Sequence, residues 1–430
     1  MEIYNNPERN SWPKLLQRPY IDNRAVLESV SAILNAVKQH GDEALRSFSK
    51  KFDGVELETF EVPEEDINDA GDLLTTELKN AIALSKKNIE RFHTGQIQKV
   101  EYIETMPGVR CWRKSVPVEK VGLYVPGGTA PLFSTVLMLG IPAVIAGCKS
   151  ISLFTPSDQE GNLHPAILYT ASLIGIKNIY RIGGAQAIAA MAYGTPTITA
   201  VDKIFGPGNQ YVTAAKQLVQ MQGVAIDMPA GPSEVCVLAD ETACPEFVAA
   251  DLLSQAEHGV DSQVLLVSTS EKMISEVNYE LEKQVELLSR KEVAIKALVN
   301  SKAVLLNTMA DAVDMVNEYA AEHLIISCAN ADDLADKISN AGSVFIGNYS
   351  PESAGDYASG TNHTLPTNGF AKAYSGVSVD SFVKKITYQK LDGEGLKNIG
   401  QAVIKMAEAE GLQAHAEAVA IRLKKMDQKQ

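Results

Sequence analysis

The sequence predicts a parallel α/β protein that contains a duplicated open-sheet unit. From Lys120 onward, short runs rich in β-branched and aromatic residues alternate with apolar helical stretches. That alternation is typical of parallel strands joined by crossover helices. It restarts at Glu234 with a similar length and order of elements, although the two repeats do not align convincingly residue by residue.

The segment before the first repeat, residues 1–118, shows helical periodicity. Amphipathic patterns with charged outer faces extend over residues 26–48 and 76–92. We therefore expect an N-terminal helical arm or layer.

The first repeat, residues 119–233, alternates predicted strands with helices. In order, its elements are VGLYVP, a helix over 132–147, SISLFTP, a helix from His164, NIYRIG, a helix over 185–193, KIFGPG and a helix from Tyr211. The helix over 132–147 is the longest apolar run, but it is short for a bilayer span and contains Pro142. We interpret it as a buried helix with a kink or break, and we expect no transmembrane segment.

The second repeat covers residues 234–348 and has the same rhythm. Its elements are EVCVLAD, a helix over 245–258, QVLLVST, a long helix near 275–288, AVLLNT, a helix over 312–321, LIISC, a short helix and SVFIG. Residues 349–430 follow as a further segment. The stretch 350–376 predicts a long loop of the kind that is usually functional or disordered. The segment 396–425 predicts an apolar-striped helix broken at Gly411, and a partner subunit is one candidate to cover that stripe.

Composition limits the classes of function. With 430 residues, 45% of them hydrophobic and 21% charged, the chain is typical of a soluble globular protein of two or three domains. Its net charge of −14, without a basic block, argues against nucleic acid and anionic membrane partners. The N-terminus has no secretory signal pattern, which predicts a cytoplasmic location. Five scattered cysteines without a C-x-x-C motif indicate a reducing compartment, and only Cys111, among basic neighbours, is a weak candidate nucleophile.

The stretch DLLSQAEHG, residues 251–259, places polar side chains on an otherwise buried stripe. Gln255 and His258 are three residues apart in the last turn of a predicted helix, so their side chains project together. With Asp356 from the loop and His415 from the tail, they form a mixed nitrogen and oxygen set that suits zinc or a similar divalent ion. Spacing alone supports this set only weakly, and structural or surface histidines are the alternative.

Glu322 and His323 are adjacent at the end of a predicted helix, directly before the strand LIISC. An imidazole can move a proton at neutral pH, and a neighbouring carboxylate can hold or deprotonate a water. The alternative is a histidine that only stabilises a helix C-terminus. The residues alone support the two interpretations equally.

Three glycine-rich turns, YVPGGTAP, RIGGAQA and FGPGNQY, follow strands of the first repeat. Backbone amides at helix starts can receive phosphate there, but none of the turns is a G-x-G-x-x-G fingerprint. The turn AGPSE joins the two repeats. Its Ser233 either faces the cleft between them or belongs to a simple linker.

Several long motifs in register resemble the histidinol dehydrogenase family. They are AIDMPAGPSEVCVLADETACPEFVAADLLSQAEHG, VGLYVPGG, FGPGN, NEYAAEHL and SAGDYASGTNHTLPT, and the similarity covers nearly the whole chain from about residue 20. The resemblance implies two incomplete Rossmann-like units of the aldehyde-dehydrogenase-like kind, with helical N-terminal and C-terminal segments. It also implies an intertwined homodimer with shared active sites.

The resemblance further implies a reaction: oxidation of L-histidinol to L-histidine through L-histidinal with two NAD⁺, the last step of histidine biosynthesis. One Zn²⁺ per subunit is implied, with the ligands Gln255, His258, Asp356 and His415. The tail histidine would reach the zinc of the other subunit. Glu322 and His323 correspond to the acid–base pair.

The remaining implied positions surround the two small molecules. Substrate contacts correspond to Ser233, His363 and Glu410, together with the zinc ligands and His323. NAD⁺ contacts correspond to Tyr124, Gln186 and Asn209. A zinc hydrolase and a non-catalytic metal- or nucleotide-binding protein are the two other classes of function that need comparison.

Overall fold

The computed structural model describes residues 1–18, 24–127, 131–229 and 231–428. The chain divides into two compact units. The first unit contains residues 1–96 and 118–382, and the second contains residues 97–117 and 383–430.

The strands and helices of the described residues are numbered in chain order. The strands are β1 Glu2–Asn5, β2 Tyr102–Met106, β3 Val109–Pro117, β4 Lys120–Tyr124, β5 Ser150–Thr155, β6 Asn178–Arg181, β7 Lys203–Phe205, β8 Ala225–Ile226, β9 Glu234–Ala239, β10 Gln263–Ser268, β11 Lys302–Leu305, β12 His323–Ser327, β13 Ser343–Ile346 and β14 Val383–Leu391. The helices are α1 Trp12–Leu15, α2 Arg24–His40, α3 Asp42–Phe48, α4 Glu64–Asp69, α5 Thr76–Thr94, α6 Phe133–Ala146, α7 Pro165–Leu173, α8 Gly184–Tyr193, α9 Gln210–Gln220, α10 Pro245–Ala256, α11 Glu271–Val285, α12 Lys291–Val299, α13 Met309–Tyr319, α14 Ala331–Ala335, α15 Glu352–Tyr357, α16 Gly393–Ala409 and α17 Gln413–Asp427.

The first repeat forms a parallel sheet with the strand order β6-β5-β4-β7-β8. Helices α2, α8 and α9 pack together, as do α5, α6 and α7, and apolar clusters lie beneath both groups. A parallel sheet that is covered on both faces has continuous apolar strands, as VGLYV shows. The N-terminal helices α2 and α5 thus complete the two layers. Helix α6 continues through Pro142, so the predicted break at that proline is not observed.

The second repeat forms its own parallel sheet, with the strand order β1-β11-β10-β9-β12-β13. Apolar clusters lie on both of its faces as well. The two parallel sheets confirm the predicted fold class and the duplicated open-sheet unit. Two elements of this sheet and its helices were not predicted from the sequence: the short edge strand β1 from the N-terminus, and helix α12, which follows α11 closely.

The second unit contains an antiparallel sheet, with the strand order β14-β3-β2, and the paired helices α16 and α17. The prediction of helical structure throughout residues 1–118 is wrong for β2 and β3. Because β2 is exposed along its whole length, it lacks the alternation of apolar and polar residues that identifies a half-buried strand. The predicted break at Gly411 is confirmed, and the positive φ of 73° at this residue favours glycine.

Two further sequence expectations concern the surroundings of the chain. Within the described ranges, no helix combines the length and the apolarity needed to cross a membrane. The five cysteines are free thiols, in agreement with the absence of a C-x-x-C motif.

Candidate active site

The predicted acid–base pair lies at the amino end of β12, in the interior of the first unit. Glu322 and His323 are only 6% and 3% exposed. Helix α13 already ends at Tyr319, and Ala320 takes a left-handed conformation. His323 is therefore the first residue of a strand, and the alternative of a helix-terminal histidine does not hold. The pair also lies at the amino edge of the sheet, whereas ligand crevices of open sheets usually lie at the carboxyl ends of strands.

Glu234, the first residue of β9, holds this pair in place. Its backbone N–H donates to Oε2 of Glu322 at 2.9 Å, and its carbonyl oxygen faces Nδ1 of His323 at 3.4 Å. Its own carboxylate accepts from Nε and Nη2 of Arg18 at 2.9 and 2.8 Å, and from the backbone N–H of Asn368 at 2.9 Å. One buried residue thus connects the N-terminal segment and the loop after β13, through its carboxylate, with the acid–base pair, through its backbone.

Three of the four predicted metal ligands lie in the first unit. Helix α10 ends at Ala256, and Nε2 of Gln255 lies 3.4 Å from Nδ1 of His258 just beyond that end. Asp356 contributes Oδ1, which lies 3.4 Å from Nε2 of His323. The predicted joint projection of Gln255 and His258 is confirmed.

Glu352 belongs to the same cluster, and the sequence analysis missed it. The ligand atoms of His258, Glu352 and Asp356 all lie within 4.8 Å of one another. Glu352 is buried and begins helix α15, four residues before Asp356, so both carboxylates share one helix face. The spacing in ESAGD could have indicated it, but the stretch was interpreted as an irregular loop.

Several polar atoms at this site are buried and have no hydrogen-bond partner in the described part of the chain. They are Oε1 of Gln255, Nε2 of His323, Oε2 of Glu352 and Oδ1 of Asp356. Of these, Nε2 of His323 and Oδ1 of Asp356 lie 3.4 Å apart and interact as an ion pair when the imidazole is protonated. A buried polar atom left without a partner costs about 1–3 kcal/mol of stability unless a ligand satisfies it. The side chains at this site offer nitrogen and oxygen ligand atoms and no thiolate, and three of the side chains contribute an oxygen without a hydrogen-bond partner. This set of ligand atoms fits a divalent cation such as zinc.

Burial and neighbouring charges shift the pKa values of Glu322 and His323. Burial raises the pKa of the Glu322 carboxyl to about 8. Burial alone would lower the pKa of His323, but the carboxylates of Glu352, Glu322 and Asp356 raise it to about 10. A cation among these carboxylates would offset their effect and favour a neutral imidazole.

His363 and Ser233, two predicted substrate contacts, border the same region. Nδ1 of His363 donates to the backbone carbonyl of Asp356 at 3.0 Å, which leaves Nε2 to accept from the hydroxyl of Thr135 at 3.2 Å. Burial lowers the pKa of His363, so its imidazole is neutral near pH 7. Ser233 directly precedes Glu234, and its carbonyl accepts from the N–H of Gln263. Ala230, in the same turn, lies outside the described residues.

The three predicted NAD⁺ contacts line one cavity of about 1190 Å³. Tyr124 ends β4, Gln186 lies in the first turn of α8, and Asn209 caps α9. The cavity therefore lies at the carboxyl ends of the first sheet, beside two helix N-termini, where dinucleotides are bound in open sheets. Buried hydroxyls of Thr155 and Ser157 lack partners among the described residues and line this cavity. The first glycine-rich turn, YVPGGTAP, includes Gly128–Ala130, which lie outside the described residues.

The remaining predicted residues lie in the second unit. Glu410 caps the end of α16, His415 lies in the first turn of α17, and both are exposed there. Their roles at the metal and the substrate stay predictions. Cys111 is half-buried in β3 of the same unit.

Comparisons with known proteins agree with the motifs. The family model described as histidinol dehydrogenase matches residues 16–423. The histidinol dehydrogenase of Bacteroides thetaiotaomicron is 56% identical over 423 residues, which cover 98% of this chain and 99% of that protein. That of Mannheimia succiniciproducens is 52% identical and covers 96% of each chain. The crystal structure of histidinol dehydrogenase from Elizabethkingia anophelis matches with a TM-score of 0.97 and 55% identity, over 99% of both chains.

Replacing Arg18 with methionine should destabilise the protein strongly. The variant leaves the Glu234 carboxylate buried without its charged partner, which costs about 3–5 kcal/mol. Denaturant unfolding of both proteins measures this loss. The control is Arg9→Met: Arg9 forms exposed ion pairs with Asp311 and Asp314 and should change stability little. Equal effects of the two replacements would contradict the role assigned to Glu234.

Proposed function

The chain belongs to the histidinol dehydrogenase family, and from this we propose that it oxidises L-histidinol to L-histidine through L-histidinal, using two NAD⁺. This reaction is the last step of histidine biosynthesis, and we place it in the cytoplasm. Beyond family membership, the proposal is supported by one observation: a buried carboxyl–imidazole pair adjoins a cluster of nitrogen and oxygen ligand atoms, of which several oxygens have no hydrogen-bond partner among the described residues.

We propose that Gln255, His258 and Asp356 hold one zinc ion per subunit, together with His415. Zinc is redox-inert, so when bound it would supply the chemistry of a Lewis acid and a template for the substrate. Glu352 adds a further buried carboxylate to this cluster. His363 and Ser233, with Glu410, would orient the bound substrate.

Tyr124, Gln186 and Asn209 would hold NAD⁺, which accepts the hydride in both steps. A cavity beside two helix N-termini suits the pyrophosphate of a dinucleotide. A zinc hydrolase could also use a carboxylate-activated water, but it has no use for such a cavity. A protein that only binds metal or nucleotide has no use for a buried proton acceptor.

His323 is assigned as the base in both oxidations. It takes the hydroxyl proton of L-histidinol while the hydride leaves the same carbon. The aldehyde that results carries no removable hydride until water has added to it. Glu322 is assigned to that water, and His323 then takes a proton from the hydrate as the second hydride departs.

The active form is proposed to be a homodimer with shared sites. In the second unit, large apolar side chains are exposed on and beside the antiparallel sheet: Ile97, Tyr102, Ile103, Met106 and Ile386. Exposed apolar side chains of this size are often covered in a protein interface. Glu410 and His415 are exposed on the same unit, which suits a tail that completes the site of the other subunit.

Purified protein should form NADH when L-histidinol and NAD⁺ are added, with two NADH for each L-histidine. Absorbance at the NADH band measures this directly. A chelator should abolish the reaction, and added Zn²⁺ should restore it. Zinc binding without NADH formation would contradict the proposal and favour one of the two other classes, a zinc hydrolase or a non-catalytic binding protein.

Replacing Glu322 with glutamine should slow aldehyde oxidation more than alcohol oxidation. The amide cannot deprotonate a water, so we expect a loss of about 10²–10⁴-fold in the hydration-dependent step. Single-turnover assays that start from L-histidinol or from L-histidinal separate the two steps. Equal losses in both half-reactions would contradict the assignment of the water to Glu322.

His258→Asn and His415→Asn should each reduce zinc content and activity together, because each removes an imidazole ligand. Metal analysis of the dialysed proteins gives zinc per subunit independently of turnover. Normal zinc occupancy in both variants would rule out the ligand assignment.

Complementation between two inactive variants tests whether the active site is shared between subunits. Inactive His415→Asn and Glu322→Gln proteins, dissociated together and refolded as a mixture, should regain part of the activity, because one hybrid site combines intact residues from both chains. A mixture that exchanges subunits and stays inactive would indicate self-contained subunits.

A further inference from the structure

A buried ion pair lies next to the proposed NAD⁺ cavity, and the proposed chemistry does not use it. Lys216 of α9 and Asp227, directly after β8, have side chains that are only 5% and 1% exposed, and the ammonium contacts the carboxylate. Removing two charges from water is costly even when they pair. By itself such a pair is weak evidence of stabilisation. Its hydrogen bonds to neighbouring groups therefore indicate its role.

Both charged groups bind the same residue, Gly206. The ammonium of Lys216 donates to the carbonyl oxygen of Gly206 at 2.8 Å. The N–H of Gly206 donates to Oδ2 of Asp227 at 2.8 Å, while Oδ1 accepts from the N–H of Met228 at 2.8 Å. The pair therefore fixes both polar groups of one glycine in the turn FGPGN.

The position of Gly206 allows no side chain. Its φ is +128°, and a Cβ there would overlap the carbonyl oxygen of Tyr124. The turn thus lies directly against the end of β4, from which the Tyr124 side chain enters the cavity. The hydroxyl of Tyr124 in turn accepts from the N–H of Gly184, at the start of α8, at 3.0 Å.

Asn209 follows three residues after Gly206 and depends on the same turn. Its Oδ1 accepts from the N–H groups of Tyr211 and Val212 at 3.0 and 3.1 Å and so caps α9, the helix that carries Lys216. From this geometry we propose that Lys216 and Asp227 are positioning residues for NAD⁺: they set the turn that places Asn209 opposite Tyr124. The inference rests on the NAD⁺ dependence proposed above.

A pair that only stabilised the fold would affect all ligands alike. If the pair positions the cavity, its loss should have a selective effect, because the zinc and acid–base residues belong to the second repeat and to the segments that follow it. Binding of NAD⁺ should suffer, whereas zinc content and the use of L-histidinol should not.

Lys216→Met removes the donor to Gly206 while keeping the length of the side chain. We expect the KM for NAD⁺ to rise about 10- to 100-fold, as small misplacements of contact groups do. Zinc per subunit, and the KM for L-histidinol at saturating NAD⁺, should stay within about twofold of the wild type. An unchanged KM for NAD⁺, or equal rises in both KM values, would overturn the inference.

Lys302→Met is the matched control. Lys302 of β11 is half-buried, and like Lys216 it donates to a backbone carbonyl, that of Leu15, but it belongs to the second sheet. Its replacement should leave the KM for NAD⁺ unchanged. A rise equal to that of Lys216→Met would show a general loss of stability and overturn the inference.

The double variant Lys216→Met/Asp227→Asn covers the case in which the single variant does not fold, because it leaves no unpaired buried charge. Its KM for NAD⁺ should rise as well. If neither the single nor the double variant folds, hydrogen exchange of the wild-type protein tests the inference instead. The Gly206 amide should exchange slowly without NAD⁺, and rapid exchange would overturn the inference. A wild type that binds no NAD⁺ overturns the proposed function and the inference together, whereas an unaffected, folded variant overturns the inference alone.

Discussion

The buried carboxylate of Glu234 is the constraint on which the site depends. A single ionised group in the interior needs several donors, and it takes them from Arg18 in the N-terminal segment and from the backbone of Asn368 in the loop after β13. The backbone of the same residue contacts Glu322 and His323. Segments that are distant in sequence must therefore be ordered before the acid–base pair has its geometry, which links correct folding to a competent site.

The two parallel sheets contribute opposite edges to the proposed chemistry. The cavity of Tyr124 and Asn209 lies at the carboxyl ends of the first sheet, whereas His323 and Glu234 begin strands of the second sheet. The chain passes from one edge to the other in the short connection between β8 and β9. Asp227 stands at the start of that connection and Glu234 at its end, so each end is fixed by a buried carboxylate.

The sequence predicted the parts of this molecule that repeat or that are periodic. Apolar strands alternating with helices gave both sheets, and the i, i+3 spacing gave the joint projection of Gln255 and His258. Glu352 and the strand β2 were missed for related reasons: one lies in a stretch crowded with turn-forming residues, and the other is exposed throughout, so neither carries a periodic signal. Contacts between distant segments, such as that of Arg18 with Glu234, leave no pattern in a single sequence.

The described residues do not satisfy all the buried polar groups of the candidate active site. Gln255 lies in the last turn of α10, and Glu352 and Asp356 share the short helix α15. Each of the three contributes a buried polar atom without a hydrogen-bond partner in the described structure. A fold that retains such atoms bears their desolvation cost unless a ligand satisfies them. A cation bound there would join the end of α10 to α15, and its binding energy would add to the stability of the folded chain. The unpaired polar atoms therefore support the proposal that a bound cation completes this site.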